Sequence, residues 1–464
     1  MTDKQIQKLV SGVTRAFGYA LICLPIVVSF LYVRRFGVDV PFTDTWRMAP
    51  LFEKLFDGEL RVSDLWEKHS EHRPLLPRIF LLLMGPLADF NMKTIMYATQ
   101  LCLLATFAGV LLAYRETVGS DTKAVYFAIP LSLLVFSLGQ YWNMFHAWSI
   151  HVVVVNTFGV LAFLLLNELR GKERGMTVLL FVLAMLGGSA ATLSAGHGLL
   201  VWPVGLVQLF LEPLFKRNKL YLSGVWTIVG VAHWAIFFLN YDNPASRMDR
   251  IYFFSSPTLG IDYFLGLVGF SLFLGSKLAI VSGATIMALL VFVIVWIVRN
   301  RDQEKYTFWI SLSAFSLLIL AATTVARAGK GIESSIHSKY VTFSVLLTIS
   351  VYVMALKLAR DHGRSELSSL PVGVCIGLIV LSAPLSYYSN VQTGQEVRVE
   401  REEKACVLIN YEDRSNKALQ QAFRPIRPPE VGKEVRYNAA ILDDLNYTVF
   451  APSTEAQSKL ECEP

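Results

Sequence analysis

The feature that most restricts this chain is a series of apolar runs long enough to cross a bilayer. A spanning helix needs roughly 20 mostly apolar residues, because the hydrocarbon core is about 30 Å thick and each residue rises about 1.5 Å. Eleven stretches qualify: Phe17–Val33, Lys93–Tyr114, Val125–Leu138, Ser149–Leu166, Met176–Leu193, His197–Leu214, Leu220–Asn240, Lys277–Val298, Tyr306–Thr324, Tyr340–Leu358 and Leu370–Tyr388. The third is short and must borrow from its flanks. Composition agrees, with 54% hydrophobic and 17% charged residues, against about 25% charged in soluble domains. An ordinary cytosolic enzyme, a disordered tail and a disulfide scaffold are excluded. The expected fold is an all-α polytopic membrane protein of about eleven spans.

Orientation follows the basic residues in short loops. With the N-terminus inside, the cytoplasmic segments hold Lys4, Lys8 and Arg15; Arg115 and Lys123; Arg170, Lys172 and Arg174; Lys216, Arg217 and Lys219; Arg299, Arg301 and Lys305; Lys357, Arg360 and Arg364. The short outward loops around Trp142–Trp148 and Ala190–Gly196 hold none. An odd number of spans then places the C-terminal tail outside. Arg34 and Arg35, not a small-residue cleavage site, follow the first span, which therefore reads as a retained anchor. The formal charge of +6 need not imply nucleic acid in such a chain, and none is expected as a partner.

Two outward segments are longer than hairpins. In the first, 34–92, the amphipathic stretch Leu75–Leu87 is too short for a comfortable span and is expected to lie along the outer interface. In the second, 241–276, Tyr263–Leu274 is apolar but ends at Gly275-Ser276-Lys277, which fits a re-entrant or interfacial helix. A membrane domain of residues 1–390 is thus followed by a small charged region, 391–464, with short helices expected around Lys417–Phe423 and Ala439–Leu445. No repeat at a fixed period is visible. Five scattered cysteines form no CxxC pair or Cys/His cluster, so no zinc or redox motif is readable. Cys406 and Cys462 both fall in the outward tail, where a disulfide can persist, subject to geometry.

Chemistry concentrates in two places. The first outward loop holds Asp44-Thr45-Trp46, Asp64-Leu65-Trp66 and His69-Ser70-Glu71-His72-Arg73, carboxylates, imidazoles and a guanidinium that can deprotonate an acceptor and bind a phosphate. A solvated charged loop is the plain alternative, against which the interleaved Trp and Pro argue for a folded surface. The second runs from Arg327 through Glu333 to His337-Ser338-Lys339-Tyr340. There an Arg at the outer end of one span and a Lys at the outer start of the next make an anion pocket, or simply snorkel to headgroups. Gly329 and Gly331 favour a tight turn between them. His146, His151, His197 and His233, with Asn143, Asn156 and Asn240, read as hydrogen-bonding core or interface residues. Acidic residues deep in spans are nearly absent, which disfavours a proton-coupled pump.

The ordered set Asp44-Thr45-Trp46, Ser70-Glu71-His72-Arg73, Gln140–His151, Gly198–Pro203, Arg327–Tyr340 and Leu442–Phe450 resembles the GT-C superfamily of integral membrane glycosyltransferases, and more closely a set of bacterial polytopic proteins within it. That set usually has Asn in place of Ser70 and Ser-Arg-Tyr in place of Ser338-Lys339-Tyr340. Lys339 keeps the charge and loses the bidentate fork. The resemblance implies a polyprenyl-phosphate sugar donor used at the outer face of the inner membrane, and transfer to a glycan, lipid or protein acceptor with inversion. Asp44 matches the general base. Arg73, Arg327 and Lys339 are the candidates for the donor phosphate, and Trp46, Asp64, His69, Glu71, His72, Glu333 and Tyr340 line the site. A divalent metal is compatible and not required. The competing functions are a lipid-linked oligosaccharide ligase or polymerase, a transporter or flippase, and a non-catalytic assembly factor.

Overall fold

In the computed structural model, residues 3–214, 216–241, 255–273, 275–362, 366–423 and 431–452 are described. Among them the chain is helical throughout, with an isolated bridge between His69 and His72 in place of any strand. Ten segments are long and apolar enough to cross a membrane: Val10–Phe36, Met92–Val118, Thr122–Phe145, Ala147–Asn167, Arg174–Ser194, Asn218–Phe238, Ser276–Arg299, Thr307–Lys330, Ser338–His362 and Ser369–Ile409. The chain is an all-α, multi-pass membrane protein. The third segment is broken at Ala128, where the following helix Ile129–Val135 carries a proline in its first turn, a position that tolerates the missing N–H. Its inward extension then runs through a 3-10 turn to Tyr141–Phe145.

The sixth expected span, His197–Leu214, is shorter than foreseen. It consists of a 3-10 turn, Gly196–Leu200, followed by the helix Val201–Leu211. Its two ends still reach opposite ends of the bundle: Gly196 donates to His72 in the first long loop, while Glu212 pairs with Arg170 and Thr307. At 1.5 Å per residue, this piece covers roughly 24 Å. Gly198 makes the reversal possible, since a Cβ there would stand 2.0 Å from the Ala191 carbonyl oxygen.

The most enclosed helix is Val341–His362, buried along almost its whole length and packed against Met92–Val118, Thr307–Arg327, Ser276–Arg299 and Glu366–Ile409. Inside the bundle Asn156 donates to the Thr342 carbonyl and hydroxyl, at 3.0 and 2.9 Å, and Asn143 to the Lys339 carbonyl at 3.1 Å. These bonds fix the outer start of the central helix against its neighbours.

The two long loops behave differently from hairpins. The helix Leu75–Ala88 exposes Ile79, Leu83 and Leu87, one residue per turn, and buries Arg78, Leu81, Leu82 and Gly85. Such an apolar outer stripe suits the membrane interface. In the second loop, Pro257–Gly269 folds back on the start of Ser276–Arg299, so closely that a Cβ on Gly283 would meet the Leu265 carbonyl oxygen at 1.9 Å.

The last span does not stop at Asn390. Glu366–Ile409 is one 44-residue helix, about 66 Å long at the standard rise. Tyr32 donates to the Asn390 carbonyl at 2.6 Å. Beyond, Asn416–Ala422 and Val431–Asp444 pack onto the first long loop. Trp46 meets Phe423 edge-on at 5.3 Å, Phe52 meets Tyr447 at 5.1 Å, and Thr448 N–H donates to the Asp89 carbonyl at 2.8 Å. Cys462, and with it the pairing considered for Cys406, lies outside the described residues.

Candidate functional site

A two-residue turn brings the site together. His69 and His72 exchange both backbone hydrogen bonds, at 2.8 and 2.9 Å, with Ser70 at φ +51°. Asn is several-fold enriched at positive φ, which accounts for its use at this position in the similar proteins. The turn aims the Glu71 carboxylate at Arg327, whose terminal nitrogen donates to both oxygens at 3.0 and 3.2 Å. It also sets the His72 ring between those of His151 and His197, at 5.6 and 5.1 Å between centroids.

Arg327 ends the helix Thr307–Arg327, and Lys339 sits in the 3-10 turn Ser338–Tyr340 that opens the central helix. Two further 3-10 turns and Gly331, at φ +87°, make the compact connection between them.

These groups border a cavity of about 460 Å³. Its lining combines polar groups, Glu71, His72, His197, Arg327, Lys339 and Tyr340, with apolar ones, among them Leu199, Trp234, Phe238, Ala322, Ala326 and Phe343. Trp234 and Phe238 are 39% and 48% exposed. Arg327 is held by Glu71. The Lys339 ammonium lies 5.4 Å from the Tyr340 ring centre and, among the described residues, makes no ion pair.

Asp44 lies in the 3-10 turn Thr43–Met48 and is linked to the cavity rather than part of its wall. Its carboxylate accepts from His69 Nε2 at 3.3 Å, with 46% of the side chain exposed. Partial burial opposes its charge, but the His69 hydrogen bond, with the positive influence of His69, His146 and Arg47, holds the carboxyl below the usual range. His69 starts the turn that carries Glu71 and His72, and its ring packs edge-on against Trp148 at 4.8 Å. Beside Asp44, the Thr43 hydroxyl bonds to His146.

Several expected site residues are placed elsewhere. Arg73 donates to four backbone carbonyls, Trp66 at 3.1 Å, Phe237 at 3.0 Å, Leu239 at 2.9 Å and Asn240 at 3.2 Å. Its fork closes the C-terminal end of the helix Lys216–Phe238, where a cation is favoured, and does not face the cavity. Asp64 caps Val62–Trp66 by accepting from Arg61 N–H at 2.8 Å and pairs with Lys54 at 2.7 Å. Trp46 is buried beneath Phe423. Glu333 is exposed on the turn Ile332–Ile336. Asp39, in the same loop, is buried and accepts from Met92 N–H at 2.7 Å and Asn91 at 2.8 Å. Burial pushes its carboxyl up to about 7, outweighing the Met92 N–H bond, which favours the charged form.

Two cavity residues, His151 and His197, read from sequence as core histidines. Nothing in their spacing separates a histidine beside a cavity from one packed in a core. Among the described residues no group of three or more His, Cys, Asp or Glu side chains is arranged to hold a metal ion.

No family model matches the sequence, and no curated protein does. Among solved structures, the crystal structure of ArnT from Cupriavidus metallidurans bound to undecaprenyl phosphate is similar over 94% of this chain and 77% of that one, at 14% identity and a TM-score of 0.44.

Proposed function

We propose that the chain is a membrane glycosyltransferase of the GT-C kind. It moves a sugar from a polyprenyl-phosphate donor to a hydroxyl of a glycan, lipid or protein, at the outer face of the bacterial inner membrane, with the N-terminus cytoplasmic and the tail outside. The observation that carries this reading is the cavity's lining, which joins Lys339, in no ion pair among the described residues, and the Arg327–Glu71 pair to a set of apolar side chains. That combination suits a ligand with an anionic head and a lipid body.

The donor phosphate sits against Lys339 and draws Arg327 partly from Glu71. The acceptor oxygen bonds to the anomeric carbon as the carbon–oxygen bond to phosphate breaks. The departing phosphate keeps the electron pair, and Lys339 and Arg327 meet its growing charge. The acceptor proton passes to Asp44. A carboxylate held below its usual range is a weak base toward a free hydroxyl. It suffices here because an oxygen bonding to an oxocarbenium-like carbon becomes strongly acidic, so the transfer comes late in bond formation. Attack from the side opposite the phosphate inverts the centre.

A cavity of about 460 Å³ lies in the low part of the range for small-ligand sites, roughly 300–1,000 Å³. This favours a monosaccharide donor over the oligosaccharides of a ligase or polymerase. The test is to incubate the purified protein with undecaprenyl-phosphate monosaccharides and measure release of undecaprenyl phosphate, alongside Lys339→Ala and Asp44→Asn. A folded protein that never consumes any of these donors, with or without added divalent metal, overturns the assignment in favour of a flippase or scaffold.

A further inference from the structure

We propose that His72, His151 and His197 form the sugar-selecting wall of the cavity, and that they select an uncharged donor sugar carrying two neighbouring free hydroxyls. This rests on the reading of the cavity as the donor site. The three residues come from distant parts of the chain, the first long loop, the helix Ile150–Asn167 and the turn Gly196–Leu200, and all three border the same cavity.

The backbone fixes what two of these rings present. Gly196 N–H donates to His72 Nδ1 at 3.2 Å, so that atom carries no proton and the neutral ring holds it on Nε2. The opposite holds for His151. Its Nδ1 lies 2.5 Å from the Trp148 carbonyl oxygen, which can only accept, so Nδ1 carries the proton and Nε2 is a bare acceptor. A histidine's second nitrogen is set by the bond its first one makes. The wall therefore offers one donor and one acceptor on rings 5.6 Å apart, and among the described residues neither Nε2 has a hydrogen-bond partner.

Gly196 leaves room for this arrangement, since a Cβ there would crowd His72 Nδ1 at 3.3 Å and the Phe237 ring at 3.2 Å. Burial, reinforced by His197, His151 and Lys339, holds His72 well below the usual imidazole range, so it stays a neutral hydrogen-bonding group. His197 Nδ1 is buried with no partner. Among the described residues that atom is closed to solvent, so His197 shapes the wall and offers a ligand no bond through it.

Each sugar hydroxyl can both donate and accept, so two neighbouring hydroxyls satisfy His72 and His151 together. Charged sugars fit worse. An ammonium group would be brought close to Lys339 and Arg327, and a carboxylate would face the His151 lone pair.

The test uses the full-length protein in nanodiscs and measures binding of undecaprenyl phosphate and of undecaprenyl phosphate bearing glucose, mannose, galactose, galacturonate or an amino sugar. The best-bound neutral donor is then compared with its monodeoxy forms. Removing either of two adjacent hydroxyls should weaken wild-type binding about tenfold, as expected for one lost hydrogen bond with its partner left unpaired. His72→Phe and His151→Phe should lose the same factor for the full sugar, show no further loss with the matching deoxy donor, and bind bare undecaprenyl phosphate as wild type does. The histidine assignment fails if the deoxy donors bind the wild type as well as the parent sugar, if a charged sugar binds best, or if folded His72→Phe and His151→Phe retain full discrimination. The deoxy series needs no substitution, so misfolded variants do not block the test. If wild-type protein binds neither bare undecaprenyl phosphate nor any sugar-bearing form, the donor-site reading falls, and the wall with it.

Discussion

The two ends of the helix bundle handle charge in opposite ways. At the end away from the long loops, several ionic groups have partners of opposite charge: fully buried Glu212 holds Arg170 and accepts from Thr307 at 2.7 Å, Arg360 pairs with Asp121 at 2.6 Å, Lys357 with Asp361 at 2.9 Å and Lys305 with Asp302 at 2.8 Å. The first two join segments far apart in sequence. A pocket of about 400 Å³ at this end has Glu116, Glu168, Arg170, Lys305 and Lys357 on its walls. At the other end, among the described residues, the cavity holds a lysine that makes no ion pair, and beside the cavity half-exposed Asp44 meets His69. Burying charge is unfavourable unless it is matched. A matched set therefore serves to hold helices together, whereas the unmatched lysine is the group that the proposed donor phosphate would meet.

Substituting Asp44 breaks this comparison most directly. Asp44→Asn should bind donor as wild type does and lose about 10²- to 10⁴-fold in transfer, the usual worth of a general base, measured as initial rate under saturating donor. The wild-type pH profile carries the sign. Because His69 and its neighbours hold the carboxyl below the ordinary value of about 3.9, the base is fully ionised above that pH, and transfer should fall only below it. His69→Asn removes the contact and should move the acid limb upward. An acid limb above pH 5 in the wild type that His69→Asn leaves in place would assign it to another group.

Next in size is the matched end. Glu212→Ala leaves Arg170 without its buried partner, and breaking such a pair costs about 3 kcal/mol or more. Thermal unfolding in detergent should show the loss, while transfer per folded molecule stays at the wild-type level. A large loss of transfer without loss of stability would mean that the inner end takes part in the chemistry.

The unmatched lysine comes third. Lys339→Ala should weaken binding of undecaprenyl phosphate about tenfold or more, as for a lost hydrogen bond to a charged group, with thermal stability kept. Lys339→Arg should be tolerated, since it restores the residue usual in the similar proteins together with a bidentate fork. Arg73→Ala, by contrast, should act through stability, because Arg73 closes a helix end. Undiminished donor binding by Lys339→Ala would move the phosphate elsewhere.

The membrane helices were legible because crossing a bilayer imposes a length and an apolar composition that no other segment of the chain satisfies. Gly196–Leu211 is the partial exception, its helical part cut short by the tight reversal at Gly198. The continuation of the last helix past Asn390 was not legible from hydropathy. Helix propensity does not follow hydropathy: the stretch to Ile409 is held by pairs such as Arg398 with Glu402 and Glu400 with Lys404, one turn apart, which support a helix in water.

In the site, sequence identified which residue types gather but not where each fork points. Arg73 and Arg327 look equivalent on paper. One is drawn to carbonyls 164 and 166 positions away, the other to Glu71, and only the assembled turn separates them. His151 and His197 escaped for the same reason, since their meeting with His72 is a long-range contact.

The smallest expected effect is at Asp64, and it bears on whether a carboxylate in the first loop matters for its charge or for its place. Asp44 and Asp64 share that loop, and sequence alone ranks them only by distance from the first span. The structure gives them different neighbours. Asp64 caps a short helix through Arg61 N–H and meets Lys54, a largely exposed partner, on the surface, while Asp44 is tied by His69 to the turn that lines the cavity. Asp64→Asn keeps a side-chain oxygen that can accept from Arg61 N–H. The substitution gives up only an exposed ion pair, an interaction of little worth in water. Donor binding, transfer rate and melting temperature should all stay at wild-type levels, measured beside Asp44→Asn in the same preparation. If Asp64→Asn instead abolished transfer while Asp44→Asn did not, the base would lie at the surface cap, and the link through His69 would have no part in the reaction.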